Sequence, residues 1–116
     1  MVNVTDINDE TFENEVINST IPVVVDFWAT WCGPCRKLGP VVEEIANEFE
    51  GKVKFAKLNV EESIESAKRF SVSGLPSLLI FKNGEAVERM TGLMPKSTIV
   101  SNIEKHIYCL LYTSPS

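Results

Sequence analysis

Long apolar stretches are missing from this chain. No apolar run reaches the roughly 18 residues that a membrane-spanning helix needs. The N-terminal segment Val2–Val4 leads directly into acidic residues, unlike the basic start and apolar middle of a signal peptide. We therefore expect neither a membrane span nor a signal peptide, and the cytoplasm is the expected compartment.

Clusters of basic residues are missing as well. The chain has 11 Lys and Arg residues against 16 Asp and Glu residues, so its formal net charge is -5 at pH 7. Proteins that bind nucleic acids concentrate positive charge on one surface, where it meets phosphate groups. The composition therefore predicts no nucleic-acid partner, and the acidic surface mainly favours solubility.

Cysteine is scarce, with three residues, and histidine occurs once. Three cysteines do not make the disulfide framework that holds small secreted domains together. Cys32 and Cys35 are only three positions apart, and in a reducing compartment such a pair is typical of a catalytic or metal-binding site. These two residues are the first candidates for chemistry.

The 116 residues, 44% of them hydrophobic, are enough for one packed domain. Strands alternate with helices until the turn Asn83-Gly84, which joins the last two strands as a hairpin. The predicted order is βαβαβαββα, an α/β fold in which a mixed sheet lies between helical layers. The predicted strands are Val2–Val4, Val23–Ala29, Val53–Val60, Leu78–Phe81 and Ala86–Thr91.

Four amphipathic helices are expected around these strands. Asn8 or Asp9 caps the first, Ser63 caps the third, and Met94 stands at the cap position of the last. The residues expected to face the core are Phe12, Val16 and Ile17 in the first helix, Leu38, Val41, Val42, Ile45, Ala46 and Phe49 in the second, Ile64, Ala67 and Phe70 in the third, and Ile99, Ile103 and Ile107 in the last.

The stretch Trp31-Cys32-Gly33-Pro34-Cys35 lies where an apolar strand gives way to the second helix. With Cys32 at the start of the helix and Cys35 one turn inside it, the two thiols are neighbours and can close a small disulfide ring. The partial positive charge of a helix N-terminus favours a thiolate at Cys32 and lowers its pKa. Pro34 suits the first turn, and Gly33 leaves the approach to the sulfur open. Cys32 is therefore the expected nucleophile.

Two charged residues lie within otherwise apolar strands. Asp26 precedes Cys32 by six residues and is expected beneath the thiols, where burial raises the pKa of a carboxyl group. It is either a general acid and base for Cys35 or a structural aspartate bonded to nearby backbone. Lys57 is expected to point inward, where it either pairs with Asp26 or extends its ammonium group to water at the strand end.

The WCGPC stretch and its flanks resemble the thioredoxin family. The resemblance runs from about Val2 to Ile107 and includes VDFWATWCGPC, FAKLNV, SGLPS and the FKNGE turn. It implies the thioredoxin fold, with a five-stranded mixed sheet flanked by four helices, as a single domain over residues 1–107. It also implies that Asp26 is the family's buried acid and base and that Lys57 tunes its pKa.

A substrate-binding groove beside the dithiol is a further implication of the resemblance. Thioredoxins carry a cis proline at the position of Pro76, whereas a trans turn is the ordinary form of an X-Pro bond. A cis bond there would leave the backbone of Leu75 free to pair with an extended substrate segment. Gly74, Gly92 and Trp31 complete the predicted groove, and the alternative for Trp31 is an ordinary core aromatic.

The end of the chain leaves the family pattern. Tyr108–Ser116 has no counterpart there, and its abrupt change in composition is typical of a cloning or read-through scar, so we expect a non-native or disordered tail. His106, near the end of the last helix, suits the helix dipole and is not expected to be catalytic. Cys109 is expected to be an exposed thiol that can link two chains under oxidation.

The sequence thus predicts a cytoplasmic, monomeric protein-disulfide reductase that works through Cys32 and Cys35. No metal or organic cofactor is expected, and the resemblance implies that thioredoxin reductase, an NADPH-dependent flavoprotein, restores the dithiol after it has reduced a disulfide-containing protein. One alternative is a zinc-binding module, for which His106 and Cys109 would be the further ligands. The other is a domain that clamps a partner while its redox activity is incidental.

Overall fold

A computed structural model describes the backbone of residues 3–113 and the side chains of residues 3–107. The strands are β1 (Val4–Ile7), β2 (Val23–Trp28), β3 (Lys54–Asn59), β4 (Ser77–Lys82) and β5 (Glu85–Thr91). A short π-helical turn, Glu13–Ile17, follows β1, and the α-helices are α1 (Gly33–Glu48), α2 (Ile64–Arg69) and α3 (Lys96–Thr113). The predicted order is confirmed, with the first helix reduced to the π-helical turn.

The five strands form one mixed sheet in the order β1-β3-β2-β4-β5. β1 and β2 both run parallel to β3, whereas β4 is antiparallel to β2 and to β5. The hairpin between β4 and β5 turns at Asn83 and Gly84, which have φ values of 54° and 82°. Both residue types tolerate this left-handed conformation, which a two-residue hairpin turn requires. The predicted mixed sheet and hairpin are confirmed.

Side chains of the sheet alternate between two apolar layers. One layer packs against α1 and α3 and contains buried residues such as Val24, Leu38 and Ile103. The other packs against the π-helical turn and α2 and is centred on Phe12, Phe27 and Phe81. β2 is central and covered on both faces, and the short segment 29–32 connects its C-terminal end to α1.

Three local predictions need correction. The first strand is Val4–Ile7 rather than Val2–Val4, of which Val2 lies outside the described residues. Ile64 was expected to face the core, but its side chain is 53% exposed. Ser63 precedes α2 as predicted, yet its hydroxyl does not cap the helix and instead accepts a hydrogen bond from the N–H of Asp9 at 3.1 Å.

The cap of α2 comes from the distant Asp9. Its carboxylate accepts hydrogen bonds from the N–H groups of Glu65, at 3.2 Å, and Ser66, at 2.8 Å. Partial burial acts to raise the pKa of Asp9, but the hydrogen bonds from Ser66 and Glu65 outweigh it and lower the pKa. The loop after β1 is thereby fastened to the start of α2.

The last helix extends beyond the predicted domain boundary at residue 107. α3 runs to Thr113, so the backbone of residues 108–113 continues the helix, and residues 114–116 lie outside the described part. That the segment from Tyr108 onward is non-native stays a prediction. Within the described residues, none of the helices combines the length and apolar character needed to cross a membrane.

Candidate active site

Cys32 and Cys35 lie at the junction between β2 and α1. Cys32 is the N-cap residue of α1, and its sulfur accepts a hydrogen bond from the backbone N–H of Cys35 at 3.2 Å. Gly33 and Pro34 occupy the first turn, where the absent N–H of proline leaves no hydrogen bond unmade. A thiolate at Cys32 would therefore receive both a hydrogen bond and the positive end of the helix dipole.

The two cysteines are joined by a disulfide bond, with their Cα atoms 5.3 Å apart. Cys32 is 3% exposed and Cys35 5% exposed, and both pack against Ala29. The structure is therefore that of the oxidised chain, in which the pair has already given up its two electrons.

Asp26 lies in the middle of β2 and is 5% exposed. Its atom Oδ1 is buried and has no hydrogen-bond partner among the described residues. Burial raises the pKa of the carboxyl group to about 7, against an opposing effect of the positive charge of Lys57. Asp26 shares a cleft of about 170 Å³ with Cys35 and Trp28, whose buried indole N–H likewise has no partner in the described part of the chain.

Lys57 is the register partner of Asp26 across the ladder between β2 and β3, and it lines the same cleft. Its ammonium group is 3.8 Å from a carboxylate oxygen of Asp6, and its side chain is 35% exposed. The contact with Asp6 fits the alternative in which the lysine reaches the surface. Its charge nevertheless acts on Asp26 through space and holds that carboxyl pKa below the value that burial alone would give.

The segment before β4 contains a cis peptide bond between Leu75 and Pro76, as the resemblance implied. The carbonyl oxygen of Pro76 accepts a hydrogen bond from the N–H of Gly92 at 2.8 Å, and Gly92 has a φ of 93°. A Cβ at Gly74 would lie 3.0 Å from a methyl group of Thr91, so a side chain there has little room. Gly74 therefore allows a close approach to Thr91, and Gly92 adopts a left-handed backbone conformation that favours glycine.

Trp31 is 68% exposed, which rules out the alternative of a core aromatic. The loop that carries it is held from both sides at Thr30. The carboxylate of Glu61 accepts hydrogen bonds from the N–H and the hydroxyl of Thr30 at 2.8 and 2.7 Å, and these bonds lower the pKa of Glu61. The guanidinium group of Arg36 donates to the carbonyl of Thr30 at 2.7 Å. The sequence did not predict this network. Thr30 and Glu61 are 31 positions apart, and no motif indicates the hydrogen bond between Arg36 and Thr30.

His106 takes no part in this site. Its ring atom Nε2 is 2.8 Å from a carboxylate oxygen of Glu88, on β5. In the part of the chain whose side chains are described, no group of three or more His, Cys, Asp or Glu residues is arranged to hold a metal ion. The side chain of Cys109, the further ligand in the zinc alternative, lies outside the described residues.

A comparison with protein families adds to this geometry. The family model named Thioredoxin matches residues 3–105, which is most of the chain. The chain belongs to the thioredoxin family. This membership confirms the resemblance.

Similar curated proteins carry the same name. Thioredoxin 1 of Nostoc sp. is 46% identical over 101 residues, which cover 87% of this chain and 94% of that protein. The thioredoxin of Haemophilus influenzae is 46% identical over 107 residues, covering 92% of this chain and 100% of its own length. Thioredoxin M-type, chloroplastic, of Chlamydomonas reinhardtii is 48% identical over 101 residues, covering 87% of this chain and 72% of that protein.

The family and the joined cysteines together define the activity. This thioredoxin-family protein is a thiol-disulfide oxidoreductase, and it reduces disulfides of substrate proteins by exchange through Cys32 and Cys35. Thioredoxins carry no cofactor, and the family in general acts on disulfide substrates and is served by a reductase.

Proposed function

We propose that Cys32 attacks the substrate and that Cys35 completes the reaction. The Cys32 thiolate forms a bond to one sulfur of the substrate disulfide, the substrate S–S bond breaks, and the departing thiolate takes up a proton. Cys35 then loses its proton and attacks the Cys32 sulfur, which releases the second substrate thiolate. Two electrons and two protons pass from the dithiol to the substrate. The observation that carries this proposal is the disulfide between the N-cap and the first turn of α1.

Asp26 is the proposed proton acceptor for Cys35. A carboxyl group with a pKa near 7 can accept a proton and return it at neutral pH without a large energetic cost in either direction. The shared cleft and the unpartnered polar atoms of Asp26 and Trp28 support a bridging water between carboxyl group and thiol. Lys57 is proposed to keep the carboxyl pKa within this range by its positive charge.

The proposed substrate surface consists of Trp31, Gly74, Leu75, Pro76 and Gly92. Among the described residues, the N–H and C=O groups of Leu75 make no hydrogen bond within the chain. An extended substrate segment would pair with them as an added strand, while its side chains contact the exposed ring of Trp31. Gly33 is proposed to leave the approach to the Cys32 sulfur open, and Pro34 to keep the first turn of α1 rigid.

The finer details of partner and compartment are also proposals. An NADPH-dependent flavoprotein reductase is the proposed electron donor, and the cytoplasm the proposed compartment, because a dithiol that donates electrons has to be kept reduced. A monomer is proposed because both apolar layers are closed within one chain.

Reduction of insulin disulfides tests the proposed mechanism. With dithiothreitol as electron donor, the wild-type protein should accelerate precipitation of the freed insulin chains, and Cys32→Ser should abolish the acceleration because no nucleophile remains. Cys109→Ser is the matched control and should keep full activity. Replacement of dithiothreitol by NADPH and a flavoprotein thioredoxin reductase tests the proposed donor in the same assay.

Each outcome of the insulin assay has a distinct meaning. A folded wild-type protein that does no better than dithiothreitol alone would overturn the mechanism and favour a domain that clamps a partner. Activity with dithiothreitol but not with the flavoprotein would contradict only the proposed electron donor.

A further inference from the structure

A groove of about 380 Å³ runs beside the dithiol, between Trp31 and α2. Its floor is apolar and includes Val60, Ala67 and Leu75. Two large apolar side chains on its walls face solvent, Trp31 with 68% and Ile64 with 53% of the residue exposed. Exposed apolar side chains that line one concavity are typical of a binding surface. We call this groove the α2 subsite.

The charge of the α2 subsite comes from Lys68, which is the one charged residue among the described residues that line it. Lys68 is exposed, and within the described residues it makes no ion pair and no side-chain hydrogen bond. Its neighbour Arg69 is engaged elsewhere, 3.0 Å from a carboxylate oxygen of Glu13 and over the ring of Phe70. Lys68 is therefore available to a ligand.

The nearby acidic residues do not form an ion pair with Lys68. Neither Glu61 nor Glu65 lines the groove, and the carboxylate of Glu61 is directed instead at Thr30, from which it accepts two hydrogen bonds. A chain with a formal net charge of -5 thus presents an apolar groove with one cation at its rim next to its reactive disulfide. The apolar groove and the ammonium group of Lys68 are together complementary to a peptide that carries an apolar side chain and, near it, a carboxylate.

The shape of the ligand follows from Leu75, which lines the groove and directly precedes Pro76. Its backbone N–H and C=O groups make no hydrogen bond within the described part of the chain, and they suit an extended polypeptide that adds to them as a strand. An extended segment places alternate side chains on the same face, so one can enter the groove while another reaches the rim.

We propose that the α2 subsite selects among protein disulfides. The favoured substrate has, near its target cysteine, an extended segment that carries an apolar side chain and an acidic residue. The apolar side chain packs between Trp31 and Ile64, and the carboxylate pairs with the ammonium group of Lys68. This inference rests on the proposed function, since the groove adjoins the same cysteines.

Disulfide-linked peptide dimers test the proposal. Each peptide contains one cysteine and a leucine, and Glu, Gln or Lys is placed in turn at positions two to six residues from the cysteine on either side. Pre-reduced protein is mixed with each dimer, and the single turnover is stopped with acid and followed by chromatography. Two electrons and two protons pass from the dithiol to the dimer, which yields two peptide thiols, so no other reductant is needed.

At the best position, the wild-type protein should reduce the Glu dimer about fivefold faster than the Lys dimer, the size expected of an exposed ion pair. Lys68→Glu should reverse this order, and about 1 M salt should weaken it. Ile64→Ser should slow the single turnover of every leucine peptide at low peptide concentration and leave the rate at saturating peptide little changed, because it removes apolar contact. The matched control is Lys52→Glu, an equal change of charge at a residue that lies outside the groove.

The α2 subsite is refuted if the wild-type protein reduces the Glu, Gln and Lys dimers at equal rates at every position. It is refuted as well if Lys52→Glu alters the preference as much as Lys68→Glu does, since the effect would then belong to net charge. Insulin reduction is measured with the same preparations. Normal insulin reduction without peptide preference leaves the proposed function standing, whereas loss of both overturns the function and the subsite together.

Discussion

At the scale of single residues, Asp26 is a carboxyl group that the fold buries away from water. A carboxylate in the middle of a central strand loses contact with water, and Oδ1 gains no hydrogen bond from the described residues in return. Burial therefore raises the pKa of Asp26 to about 7, with Lys57 opposing. The fold tolerates this group at a cost to stability, which is typical of a residue kept for function.

The pH dependence of stability follows from that pKa. Because the folded protein holds the Asp26 proton up to a pKa of about 7, against 3.8 as the ordinary value, the folded state binds more protons than the unfolded state between these pH values. The free energy of unfolding of the oxidised protein should therefore fall between about pH 4 and pH 7, by up to about 4 kcal/mol from this group, and the contribution should level off above that range. In Asp26→Asn this contribution should vanish, so the variant should be more stable than wild type at pH 8. Urea unfolding at pH 4.5 and pH 8 measures the difference.

Asp6→Asn is the matched control, because Asp6 is exposed and its replacement should leave most of the pH dependence in place. Parallel pH profiles for wild type and Asp26→Asn would contradict the burial argument. Insulin reduction by the same variant at pH 7 tests the proposed role of proton acceptor. A rate equal to wild type would remove that role and leave Asp26 as a structural aspartate.

At the scale of elements, α2 depends on a residue outside itself. The helix has six residues, too few to be stable alone, and its free N–H groups at Glu65 and Ser66 are satisfied by Asp9. The hydroxyl of Ser63 in turn accepts a hydrogen bond from the backbone N–H of Asp9. Since α2 forms one wall of the groove beside the dithiol, this cap also fixes the position of Ile64 and Lys68.

Removal of the cap should weaken the protein. Asp9→Ala leaves two backbone N–H groups without their acceptor and should lower the free energy of unfolding by about 1–2 kcal/mol. Asp9→Asn keeps an acceptor oxygen and should lose less. Urea unfolding at pH 7 gives both values, and Glu10→Ala serves as the control for loss of one charge from the same loop. A loss in Asp9→Ala no larger than that in Glu10→Ala would show that the cap contributes nothing.

At the scale of the whole molecule, the sheet brings all parts of the site to one end of β2. The parallel pair of β2 and β3 brings Asp26 beside Lys57, and the antiparallel pairing of β4 brings Pro76 to the end of β2 from which Cys32 follows. The two apolar layers close within the chain. What stays open is the surface around Trp31, where a partner is expected.

The oligomeric state is the prediction that belongs to this scale. Under reducing conditions, sedimentation should give a monomer, because neither apolar layer needs a second chain. In air, Cys109 is predicted to link two chains, and a non-reducing gel should then show a dimer that disappears in Cys109→Ser. Only monomer in air would count against an exposed thiol at that position, and a dimer under reducing conditions would contradict the closed-core argument.

Features that depend on neighbouring residues could be predicted from the sequence. The spacing of Cys32 and Cys35 at the start of a helix, the Asn83-Gly84 turn and the alternation along β2 are local properties, because backbone conformation and side-chain direction repeat over a few residues. The same spacing and alternation predicted the disulfide and the burial of Asp26. The cis bond at Pro76 came from the family resemblance, since the local preference is trans.

Features that join distant segments could not be predicted in this way, because they depend on how the elements pack. The exposure of Ile64, the cap that Asp9 supplies to α2 and the ion pair of Lys57 with Asp6 each join residues tens of positions apart or depend on how elements pack. A helical stripe indicates which residues are apolar, but the neighbouring elements decide which of them is covered. Ile64, the first residue of α2, is not covered by a neighbouring element, so its side chain is exposed to solvent and lines the groove.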